Sequence, residues 1–135
     1  MPNIIRISRG IEINVNEAGD TICIPVDDMN FIDNYNNVLD TFDRIDKEIK
    51  EKEGTLAPKE ELRFIIEKTR EVMDGINNLF MDEQCCKKVF GNIVPSPYLL
   101  ADFFEQLCPY IEKYADERQK KIMDKYRKPV RSRNA

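Results

Sequence analysis

A change of apolar period at Asp27-Asp28 constrains this chain more than any other feature. Before it, Ile11, Ile13 and Val15 alternate with polar residues, and Ile22, Ile24 and Val26 do the same after Glu17-Ala18-Gly19-Asp20. Period-two alternation around a Gly-Asp turn predicts a β-hairpin with its isoleucines on one face. Ile4, Ile5 and Ile7 are material for a third strand. Beyond Asp28, Phe31, Tyr35, Val38, Phe42, Ile45 and Ile49 recur at steps of four and three. That spacing predicts one apolar face on a helix of about 24 residues. A lone hairpin is marginal in water, so this one is expected to pack on the helices or pair through its edge with a neighbour.

Local signals divide the rest into further helices. Asp28 or Asn30 is placed to cap the first helix, an acidic first turn suits its dipole, and Gly54 stops it. Pro58 opens a second helix, whose face is Leu62, Ile65, Ile66, Thr69, Val72, Met73, Ile76, Leu79 and Phe80. The short connection makes the two antiparallel neighbours, and Gly75 is a position for close approach. A short helix over 82–89 ends at Phe90-Gly91, and Ser96, between two prolines, caps a fourth helix. Pro109 is expected to kink that helix or split it after Leu107. Residues 117–126 continue as an exposed helix, and 127–135, interrupted by Pro129, read as a flexible basic tail. The fold class is therefore mainly α (α+β). A single domain spans 1–126, with a hairpin in 1–26 and about four helices in 28–126.

Composition narrows the chemistry. The 135 residues include no histidine, the commonest acid/base and metal-ligating side chain near neutral pH. Cys23, Cys85, Cys86 and Cys108 form no CxxC pair, and an adjacent Cys-Cys is poor zinc spacing. No signal peptide or membrane span is legible, so the cysteines read as reduced thiols in a cytoplasm. The formal charge of −4 is unevenly spread, because residues 118–135 hold eight basic side chains against Asp124 alone. An acidic body with a basic end points to a charge-steered contact, including one with another copy of the chain.

Four constellations are weighed as sites. Asp27, Asp28 and Asp33 lie near a helix start, but without the spacing of a calcium loop, and read as capping and solvated carboxylates. Cys85-Cys86 at a helix start beside Lys87-Lys88 is the arrangement that lowers a thiol pKa, though no histidine is present as a base. The basic tail offers salt-dependent phosphate contacts, which the acidic body opposes. The fourth helix is wider in apolar side chains than one contact needs. Its Leu100, Phe103, Phe104, Leu107, Ile111 and Tyr114, with Arg127 and Arg131 of the tail, are the expected partner-binding residues. No catalytic, cofactor-binding or metal-binding residue is assigned.

The order of features resembles the tail assembly chaperones of siphovirus-like and myovirus-like phages and prophages of Gram-positive bacteria. Three stretches carry the likeness: Ile24-Pro25-Val26-Asp27-Asp28-Met29-Asn30-Phe31; Ile76-Asn77-Asn78-Leu79-Phe80 through Lys87-Lys88-Val89-Phe90-Gly91-Asn92; and the aromatic helix ending in Lys125-Tyr126-Arg127-Lys128-Pro129-Val130-Arg131-Ser132-Arg133-Asn134-Ala135. The resemblance implies a non-enzymatic protein of the host bacterial cytoplasm, absent from the mature virion. Such a protein binds the long tape measure protein, keeps it soluble and helps recruit tail tube subunits. It implies no cofactor, no membrane and no nucleic acid, and it is compatible with a homo-oligomer. The alternative is a small bacterial helical adaptor or regulator that contacts nucleic acid through its basic tail.

Overall fold

A computed structural model describes the backbone of residues 3–5, 10–25 and 28–134, with side chains through 114 and at 116. Strands β1 (Ile11–Asn14) and β2 (Thr21–Ile24) form a two-stranded antiparallel sheet. Ile11 pairs with Ile24 and Ile13 with Ile22, which puts all four isoleucines on one face. Ile22 and Ile24 are buried in the common core. Asn16 organises the turn: its side chain donates to Asp20 Oδ2 at 2.8 Å and accepts from the Asp20 N–H at 3.1 Å. Gly19, at φ +92, closes it. Gly10 has φ +144, and a Cβ there would collide with the Ile24 carbonyl, so only glycine fits the entry to β1.

Helices α1 (Met29–Lys52) and α2 (Pro58–Leu79) follow, joined by five residues. Asp28 caps α1 by accepting from the Asn30 N–H at 2.9 Å. The expected acidic first turn is absent, because Asp28 is the cap itself and the helix begins after it, at Met29. Arg44 meets Glu71, Glu48 meets Lys68, and Gly75 lies opposite Val38, so α2 runs antiparallel to α1. By the same register Leu62 falls opposite the end of α1, which leaves it 58% exposed rather than in the core as its spacing predicted.

The short helix α3 (Cys85–Phe90) starts later than expected, because 82–84 form a turn. In that turn the Asp82 carboxylate accepts from the Gln84 N–H at 2.9 Å. Ser96 then caps α4 (Pro97–Asn134), its hydroxyl accepting from the Leu99 N–H at 3.3 Å. Helix α4 is not split at Pro109. Pro109 and Glu105, whose carbonyl loses its partner, are both exposed, so water satisfies that oxygen.

Tyr35 lies by Cys108, Phe42 by Phe104 and Lys50 by Tyr98, so α4 runs antiparallel to α1. This register brings the start of α1 level with about residue 114. The remaining 20 residues of α4, about 30 Å of helix, run past it. The stretch expected as a flexible tail is helical in its backbone up to Asn134. Residues 117–126, rich in straight-chain helix formers, are helical as expected, and the helix carries on from them across Pro129. The third strand is not formed at Ile4 and Ile5, and Ile7 and Val26 lie outside the described residues.

Candidate protein-binding groove

Five of the expected partner-binding residues are core. Leu100, Phe103, Phe104, Leu107 and Ile111 are all buried. Phe103 and Phe104 diverge, as adjacent helical residues must, but each finds an intramolecular partner. Phe104 packs on Phe42 of α1, with ring centroids 5.4 Å apart. Phe103 meets Phe90 at 5.6 Å and Phe80 at 6.4 Å. The apolar width of α4 is thus taken up by α1 on one side and by the α2–α3 region on the other. Tyr114 is half-buried, and the side chains of Arg127 and Arg131 lie outside the described residues.

The open apolar surface lies one step around α4. A groove of about 350 Å³ separates the hairpin from this helix. Ile13, Asn14 and Val15 form one bank, and Leu99, Asp102, Gln106 and Tyr110 form the other. Ile22, Phe90 and Phe103 contribute to its lining between them. Leu99 is 43% and Tyr110 46% exposed. These two residues continue the i, i+3, i+7, i+11 row of α4 beside its buried face. Sequence reading missed them because one side of a broad apolar helix does not announce which edge is left open.

Asn16 and Lys88 hold the hairpin bank in place. The Asn16 side chain donates to the Lys88 carbonyl at 3.0 Å. Lys88 Nζ donates to Asp82 at 2.7 Å and to the Thr21 carbonyl at 3.3 Å. The Lys88 ammonium, and then the Gln84 N–H, hold the Asp82 carboxyl below its usual range. The lone sequence signal was the Asn-Glu-Ala-Gly turn; its tie to α3 joins residues 72 positions apart and left no pattern.

The thiols of Cys85 and Cys86 are not activated. Both side chains are buried, and burial pushes each up to about 12, the reverse of the lowering expected from a helix start beside lysines. Cys86 donates instead to the Met73 carbonyl at 3.4 Å. The thiolate that redox chemistry needs is therefore suppressed at neutral pH. Asp28 of the acidic trio is a helix cap, and among the described residues no three potential ligands gather to hold a metal. Among the same residues, no helix is long and apolar enough to cross a membrane. No protein-family model, curated protein or solved structure matches the chain.

Proposed function

We propose that this protein is a phage tail assembly chaperone, a non-enzymatic module that binds the tape measure protein and keeps it soluble in the bacterial cytoplasm. The observation that supports this reading is the groove between the hairpin and α4, with Leu99 and Tyr110 exposed on its rim. A tape measure is a long helical chain with apolar stripes, and an open groove of aliphatic and aromatic side chains accepts such stripes without demanding one sequence. The partner surface is accordingly the groove, whose lining takes Phe103 and Leu107 from the expected set, and not the whole apolar face of α4. The long charged end of α4 supplies a second, electrostatic contact, for the client or for tail tube subunits.

Co-expression with a phage tape measure protein, the long helical client proposed here, tests the proposal. The expected result is that the long protein stays in the soluble fraction and co-purifies with this chain. Equal insolubility with and without this chain would refute it. The adaptor alternative predicts that same failure, together with salt-dependent retention of nucleic acid by the intact chain but not by one ending at 117.

A further inference from the structure

Among the described residues, the bank of the groove formed by β1 is a strand edge on which no further strand pairs. Among the described residues the sheet has two strands, and Ile13 and Asn14 of β1, with Val15 just after it, line the groove. The Val15 N–H donates to the Asp20 carbonyl at 2.9 Å, which makes 15 and 20 a hydrogen-bonded pair. Alternation along the register then turns the backbone of Ile11 and Ile13 toward β2, and that of Glu12 and Asn14 away from it. Such an edge is a template for another strand.

The segment just before β1 has the matching chemistry. Residues 3–9 read Asn-Ile-Ile-Arg-Ile-Ser-Arg, strand-forming and basic, with no acidic residue. Ile4 is 69% and Ile5 87% exposed, so neither fills the groove of its own chain. Gly10 sits against Ile24 and Pro25, still opposite β2. Among charged residues the groove lining holds Asp102 alone, and Glu12 is exposed on the outer face of the same strand.

We propose that this N-terminal segment, from a second copy of the chain, adds to β1 as a third strand and lies in the groove, reciprocally, in a two-fold dimer. Period-two alternation directs Ile5 and Ile7 inward toward Leu99 and Tyr110, and leaves Arg6 on the outer face beside Glu12. The exchange buries Ile5, which the isolated chain exposes, and caps the open edge in one step. Where the groove also takes the client, arm and client compete, and the dimer is the waiting form. That last consequence rests on the function proposed above; the dimer itself does not.

Light scattering and sedimentation of the purified full chain, without any client, test the dimer. Across a concentration series the wild type associates to twice its 15.9 kDa mass. Ile5→Asp in the arm and Tyr110→Asp in the groove each weaken association by ~100-fold or more, since every dimer loses two apolar contacts. Both positions are exposed, so both variants keep the wild-type circular dichroism. Mixed together they form a heterodimer, because the intact groove of the first receives the intact arm of the second. Arg6→Glu weakens the dimer, and adding Glu12→Lys restores it. A wild type that stays monomeric throughout overturns the proposal, and so does an arm found in its own groove. A dimer that ignores both aspartate variants, or a mixture that fails to associate, also overturns it.

Discussion

Replacing Phe104 by alanine separates a core role for α4 from a partner-binding one. Phe104 is 5% exposed and its ring packs on Phe42 at 5.4 Å and on Phe103 at 5.7 Å. Truncation removes the transfer free energy of a buried aromatic side chain and leaves a cavity between α1 and α4, together about 3–5 kcal/mol. For 135 residues the unfolding entropy is roughly 0.28 kcal/mol/K, so the melting temperature should fall by about 10–18 °C. Total stabilities of such domains are about 5–15 kcal/mol, so Phe104→Ala approaches the limit of folding at physiological temperature. Urea titration followed by circular dichroism gives the loss directly, with Leu99→Ala, at a half-exposed site, as the control expected to lose less than about 1 kcal/mol. A Phe104→Ala protein that melts within about 3 °C of wild type would refute the assignment of this face to the core.

Other substitutions test separate parts of the fold. Gly75→Ala should stabilise by about 1 kcal/mol in the same titration, because its Cβ would meet Val38 at an ordinary 3.7 Å while the helix gains propensity. A loss at Gly75 would mean that α1 and α2 approach more closely than described. Tyr35→Phe should be close to neutral, since among the described residues the buried Tyr35 hydroxyl makes no well-formed hydrogen bond and has only the weak thiol of Cys108 beside it. Cys85 and Cys86 predict an alkaline loss of stability. Their folded pKa is raised to about 12, so their contribution is complete below the free-thiol value of about 8.5 and declines above it. With two protons retained by the fold, the slope approaches ~2.7 kcal/mol per pH unit. Urea midpoints that do not move between pH 8 and 9.5 would contradict it.

How far the sequence reads as structure differs between elements. The hairpin, the two long helices and the caps at Asp28 and Ser96 are local, and period, turn and cap chemistry identify them. What tertiary contact decides is harder to see. Phe103 and Phe104 look like surplus apolar width until α1 and the α2–α3 region are both placed against α4. Lys87 and Lys88 beside Cys86 look activating until burial is known, and Lys88 in fact turns to Asp82 and Thr21. Asn16 looks like an ordinary turn residue, yet its side chain fixes one bank of the groove to α3. Leu62 has core spacing, but α1 has already ended where it points. In each case the sequence specifies the element and not the neighbour that the element meets.

The groove between the hairpin and α4 is the proposed working surface of the protein. A photo-crosslinking amino acid placed at Tyr110, on the groove rim, and separately at Glu67, exposed on α2, tests it directly during co-expression with a tape measure protein. Crosslinks to that protein are expected from position 110 and none from 67. Crosslinks from 67 alone, or equally from both, would contradict it.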